Sequence, residues 1–221
     1  MSFSLLLHSL DPKPSRRELE EISVKVPSIA RADCPGLVED WFGIVASNLQ
    51  MSDAMAFQAA LKVRGYQTDV VPDFEIPALH SDFRCQRITF EDNAVLLNDA
   101  MGKLFYRTKN ELVFIAAGLI GNARPRRDSD EDICFRMDLF FSTPPHRISL
   151  EAREDSVLFY QGKLIRLRHK EDLAALMMKA RAMLPEERLN HSLCNLSIAS
   201  PYPSMHAYEE ELRWAFYRLG A

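Results

Sequence analysis

Between Arg84 and Leu167 the chain is a succession of short β-prone runs punctuated by turn residues, which commits this stretch to a sheet or a barrel. From Arg84 the residues alternate, with Cys85, Arg87 and Thr89 on one side and Gln86, Ile88 and Phe90 on the other. Val95–Leu97, Leu104–Tyr106 and Leu112–Ile120 follow, separated by Asn93, Asn98-Asp99, Gly102 and Lys109-Asn110. Ile133–Phe141 and Arg147–Ala152 flank Thr143-Pro144-Pro145, and Val157–Tyr160 with Leu164–Leu167 reads as a hairpin across Gln161-Gly162. The segment then changes period. Leu173, Leu176, Met177, Ala180 and Leu184 share one helical face, with Asp172 as the N-cap and Pro185 as the stop. Strands closed by one helix match the partly open β-barrel of a PH-like fold, with a generic α+β sheet as the runner-up.

The preceding stretch has a different rhythm. Phe3–Leu10 is a short apolar run ended by Asp11-Pro12-Lys13-Pro14, and Ser15-Arg16-Arg17-Glu18 fits a capping box. Leu19, Ile22 and Val26 continue at helical spacing until Pro27. Ser28–Asp33 reads as a strand, Cys34-Pro35-Gly36 as a turn and Phe42–Leu49 as a further strand. Ser52 caps a second helix bearing Ala54, Phe57 and Leu61, Gly65 closes it, and Tyr66–Val71 is a last β-run before Pro72. This order predicts a ferredoxin-like βαββαβ domain over residues 1–77, followed by residues 78–221 as the PH-like β domain with its closing helix and a C-terminal helix.

That terminal helix is capped by Ser204 and runs to Leu219 with Tyr208, Leu212 and Ala215 on its stripe. Trp214, Phe216 and Tyr217 broaden the stripe, and Glu209 stands four residues before Arg213. So many aromatic residues predict docking, onto the chain itself or onto a second subunit.

Charge narrows the partners. The net charge is −4; residues 1–77 carry 7 Lys/Arg against 11 Asp/Glu and the remainder carries 20 of each, so bulk attraction to nucleic acid is disfavoured. Lys163, Arg166, Arg168, His169 and Lys170 form a basic cluster, and Arg124, Arg126 and Arg127 precede the acidic run Asp128, Asp130, Glu131 and Asp132. Both fit solvated charge better than an anion site, although a local anionic lipid or nucleotide contact would use Arg166, Arg168 and the arginine loop. No apolar run reaches the length of a membrane span.

Cys34, Cys85, Cys134 and Cys194 lack paired spacing, which predicts free thiols in a cytoplasmic protein. The histidines, His8, His80, His146, His169, His191 and His206, are isolated, and His191 with Cys194 lacks further ligands for a metal. Cys34 beside Asp33 has no marked base, and Glu131/Asp132 and Glu154/Asp155 read as turn carboxylates. Phosphate-loop, dinucleotide, zinc-protease and nucleophile-elbow motifs are absent, so no catalytic, cofactor or metal residue is assigned. The paired Met177-Met178 reads as core filling.

Trp41-Phe42-Gly43-Ile44, the stretch Gly65–Val71 and Phe114-Ile115-Ala116-Ala117-Gly118 resemble a group of uncharacterised bacterial proteins that join a ferredoxin-like domain to a PH-like β domain. The resemblance implies that architecture and a bacterial cytoplasm, and carries no functional residue with it. The expected function is a non-enzymatic binding or adaptor protein for a protein or peptide, or a homo-oligomer through the last helix. An anionic lipid or nucleotide module and an enzyme with a dispersed site are the alternatives.

Overall fold

A computed structural model describes residues 1–99, 101–121, 133–143, 145–153, 157–160, 163–166, 170–196 and 202–220. It is an α+β structure of open sheets, with no closed barrel among the described residues. Two compact units divide it, Met1–Leu79 with Pro203–Ala221, and His80–Tyr202.

In the first unit, β1 (Phe3–Leu7), β2 (Ile44–Leu49) and β3 (Thr68–Pro72) form a sheet in the order β2-β1-β3, with β1 antiparallel to both neighbours. The helix α1 (Arg16–Ser23) begins at the capping box: Glu18 N–H donates to Ser15 Oγ at 3.3 Å, and Ser15 N–H donates to Glu18 Oε2 at 2.7 Å. Ser28–Asp33 is not a strand. It ends in a 3-10 turn over Arg31–Asp33 and leads into α2 (Cys34–Glu39). Pro35 suits the first turn of a helix, where its missing N–H has no partner to lose. The sheet therefore has three strands and one split βαβ unit, in which β2 and β3 are joined by α3 (Met51–Val63) around β1. Gln50, rather than Ser52, is the N-cap of α3, and Gly65 follows its end at φ +90°.

The helices cover one face of this sheet. Leu5, Leu7 and Val45 meet Leu19, Ile22, Phe57 and Leu61 in a buried core. The opposite face would be bare without the last helix, α6 (Met205–Leu219), whose Trp214 and Tyr217 cover Leu6, Ile44, Val71 and Ile76. The Trp214 indole donates to Leu7 O at 2.7 Å. A boundary after residue 77 leaves this helix with the second segment; in the structure it groups with the first, because that sheet has a second apolar face to bury. Arg213 pairs with Glu210 at 2.7 Å.

The second unit has β4 (Asp82–Phe90), β5 (Ala94–Asp99), β6 (Leu104–Thr108), β7 (Leu112–Ile120), β8 (Cys134–Ser142), β9 (Pro145–Ala152), β10 (Val157–Tyr160) and β11 (Lys163–Arg166). One path runs β11-β10-β4-β9-β8-β7, and β4 also pairs β5, which pairs β6. The alternation read from sequence holds in β4, where Cys85, Ile88 and Phe90 are buried. The helix α4 (Lys170–Arg181) lays Leu173, Leu176, Met177 and Ala180 over Ile88, Leu97, Ile115, Met137, Leu139 and Leu150. Beyond it, α5 (His191–Cys194) is capped by Asn190. Asn190 also closes the edge of β7: its Oδ1 accepts from Ala117 N–H and its Nδ2 donates to Ala117 O, both at 3.0 Å. Tyr202 continues that closure, donating its N–H to Leu119 O at 2.8 Å.

Candidate functional site

A cavity lies in the first unit, between α3 and β3. Met55, Gln58, Ala59 and Lys62 of α3 form one wall, and Tyr66, Gln67 and Thr68 with His8 form the other, enclosing about 630 Å³. A smaller recess of about 190 Å³ continues past His8, Gly65 and Tyr66 to Ser9, Asp11 and Pro12. Helical spacing places Met55, Gln58 and Lys62 on one face of α3, away from the buried Ala54, Phe57 and Leu61.

The register of β3 decides what this groove offers. Asp73 N–H donates to Ser2 O at 3.1 Å and His8 N–H to Gln67 O at 3.0 Å, so Gln67, Asp69 and Val71 turn their backbone groups towards β1. Antiparallel pairing alternates, and Thr68 and Val70 therefore turn theirs outward along the edge. Gln58 Nε2 takes the Thr68 carbonyl at 2.6 Å, bridging helix and strand at the floor of the groove. Met55 is half exposed at the rim. Thr68 Oγ1 is buried with no hydrogen-bond partner.

His8 Nε2 lies 2.9 Å from Asp69 Oδ2, with both side chains well exposed, so the pair contributes at most about 1 kcal/mol. Tyr66 stacks edge-on against Trp41 at 5.7 Å. Burial, and then the Glu18 carboxylate, holds its phenol above the ordinary value, so it enters the groove as a neutral hydrogen-bonding group. These are contact groups arranged along an open strand edge. Among the described residues no hydroxyl or thiol stands within hydrogen-bond distance of His8.

A second polar assembly lies on β8, β9 and β4 of the other unit. Asp138 is fully buried and accepts from Arg136 Nε at 2.8 Å and Arg147 Nε at 2.8 Å. Arg136 also donates to Asp82 Oδ2 at 2.8 Å, which accepts from Ser149 Oγ at 2.7 Å. Partial burial acts to raise the Asp82 carboxyl, but the Ser149 hydroxyl and the Arg136 charge outweigh it and hold the value down at about 2. This network neutralises charge within the sheet.

The residues singled out in the sequence scatter. His191 and Cys194 share α5, but His191 Nδ1 meets Tyr202 Oη at 3.2 Å and Cys194 Sγ donates to Glu186 O at 3.5 Å. No cluster of metal-ligating side chains occurs among the described residues. Cys34 is buried, Met177 is in the core, and Met178 is exposed. Burial pushes the Cys85 and Cys134 thiols up to about 12, which leaves them inert as nucleophiles. The arginine loop, Arg168 and His169, and Glu131/Asp132 and Glu154/Asp155 lie outside the described residues, as do the side chains of Lys163, Arg166 and Lys170. The aromatic stripe of α6 is engaged within the chain through Trp214 and Tyr217. Sequence reasoning missed the groove, whose signal was Gly65 followed by a short β-run ending at a proline. No described helix is long and apolar enough to cross a membrane. No family model, curated protein or solved structure matches the chain.

Proposed function

We propose that this chain is a non-enzymatic binding protein that takes an extended peptide of a partner protein into the groove between α3 and β3. The peptide adds as a strand to β3, with its main chain paired to the outward N–H and C=O of Val70 and one side chain seated between Met55 and Tyr66. The supporting observation is the coincidence of an outward-facing strand edge with an open groove walled by α3. Lys62 on that wall favours an acidic residue or a terminal carboxylate in the peptide.

The same reading takes the first unit as a ferredoxin-like relative with one strand replaced by α2, on the strength of the split β2-α3-β3 unit around β1. It takes the second as a PH-like arrangement, on the strength of a mainly antiparallel sheet closed by α4, in which β4 runs parallel to β9 and β10. Cytoplasmic residence goes with this reading, since Cys34 and Cys85 are free thiols.

The test is selection from a random peptide library, followed by Val70→Pro. Proline removes the outward N–H while sparing the β1–β3 ladder, so the fold survives. Binding of selected peptides falls at least tenfold in Val70→Pro, and Lys62→Glu reverses the charge preference of the selection. Peptides that bind Val70→Pro as tightly as the parent overturn strand addition. A selection that yields no peptide overturns the peptide reading.

A further inference from the structure

The second unit carries another strand edge with a chemistry of its own. Among the described residues β6 has β5 as its one strand partner. Asp99 N–H donates to Lys103 O at 3.1 Å and Lys109 N–H to Asn93 O at 2.8 Å, so Phe105 and Arg107 turn their backbone groups towards β5. Leu104 and Tyr106 therefore present N–H and C=O outward. At the next outward position, Thr108 N–H is taken by Glu111 Oε2 at 2.7 Å, which ends the open edge. The edge of β7 in the same unit is closed by Asn190 and Tyr202, whereas among the described residues the outer edge of β6 pairs with no strand.

The side chains of β6 alternate in character. Leu104 and Tyr106 stand on one face, each 59% exposed, beside Leu96 across the strand pair. Lys103, Phe105, Arg107 and Lys109 stand on the other. Lys103 Nζ lies 5.1 Å from the Phe105 ring, and Arg107 Nε is buried without a hydrogen-bond partner. Glu111, whose field reaches Arg107, is committed to the Thr108 N–H and hydroxyl. An antiparallel second copy centred on Tyr106 would set Lys103 against Lys109, and one centred on Phe105 would set Lys103 against Arg107. Like charges directly opposite are repulsive, so the edge rejects its own copy.

We infer that β6 is a docking edge for an extended acidic segment of a partner protein, one that alternates apolar and acidic residues. Its apolar side chains lie against Leu104 and Tyr106. Its carboxylates lie on the opposite face, in the close non-hydrogen-bonded pairs beside Arg107 and Phe105, where the unpartnered Arg107 Nε meets an acceptor.

Fluorescence anisotropy of the full chain with a labelled nine-residue peptide of alternating glutamate and valine tests this, alongside the corresponding lysine–valine peptide. The glutamate peptide binds saturably and the lysine peptide at least tenfold more weakly. On a Val70→Pro background, which silences the β3 groove, the glutamate peptide still binds; there Tyr106→Pro removes an outward N–H, spares the β5 ladder and abolishes that binding. The double variant Lys103→Glu, Arg107→Glu exchanges the preference to the lysine peptide, which keeps the test decisive should the proline variant fail to fold. Equal binding of both peptides, or a preference unaltered in the double variant, overturns the inference.

Discussion

Replacing Asp138 by asparagine changes almost no volume and tests what holds the polar face of the second unit. The carboxylate is fully buried and accepts four hydrogen bonds, at 2.8 and 3.1 Å from Arg136 and at 2.8 and 3.2 Å from Arg147. An amide has one acceptor oxygen, and its NH₂ group is turned on guanidinium donors. Two charge-assisted hydrogen bonds are lost, at about 1.5–3 kcal/mol each. Arg136 keeps Asp82 as a counter-charge, and breaking a buried ion pair costs about 3–5 kcal/mol as a whole, the lost hydrogen bonds included. Asp138→Asn therefore costs about 3–5 kcal/mol. With a urea slope of about 2 kcal/mol/M, the unfolding midpoint falls by roughly 2 M. Both tryptophans, Trp41 and Trp214, lie in the first unit, so far-UV circular dichroism is the signal to follow. A fall under roughly 0.5 M, or about 1 kcal/mol on that slope, refutes the assignment. A second arm separates lost charge from lost shape: Asp138→Leu, Arg147→Met removes one charge of each sign, leaves Arg136 paired with Asp82 and regains most of the loss. A double variant no more stable than Asp138→Asn contradicts uncompensated charge as the cause.

Two further outcomes follow from local geometry. Gly43 adopts φ +101°, and a Cβ built there lies 2.4 Å from Trp214 Cγ. Gly43→Ala adds about 1–3 kcal/mol of backbone strain to that overlap, so Trp214 is displaced and tryptophan emission shifts red at an unchanged far-UV spectrum; unshifted emission speaks against close docking of α6. Asp82 is held at about 2 in the folded chain, below its ordinary 3.8, so its stabilisation is complete above about pH 4 and is lost as the pH falls through about 2. Solvent screening of this partly exposed carboxylate limits the effect to about 1 kcal/mol. Urea midpoints taken across that acid range fall less steeply for Asp82→Asn than for the parent, and parallel curves count against the Arg136–Asp82–Ser149 contact.

Local signals were legible wherever neighbouring residues settle the outcome. The Ser15–Glu18 capping box, Gly65 after α3, Ser204 at the start of α6 and the alternation of β4 each depend on groups within a few positions of one another. The helical stripe of α4 was legible because its spacing is that of a helix face. Ser28–Asp33 misled because its apolar residues, Ile29 and Ala30, are too few to carry a period, and Pro35 then favoured a helical start. Arg136, Asp138 and Arg147 gave no warning: they sit in runs that read as ordinary strand, and Asp82, which completes their network, comes from a strand distant in the chain.

The sequence by itself determined the α+β class, the caps and the periods, since these are short-range properties of backbone sterics and side-chain spacing. Tertiary structure alone decided that α6 groups with the first unit, because a helix stripe records that it must be buried and not against what. It also decided which strand edges are covered and which are open. That follows from register: a shift of one residue exchanges inward and outward backbone groups without altering a single side chain in the sequence.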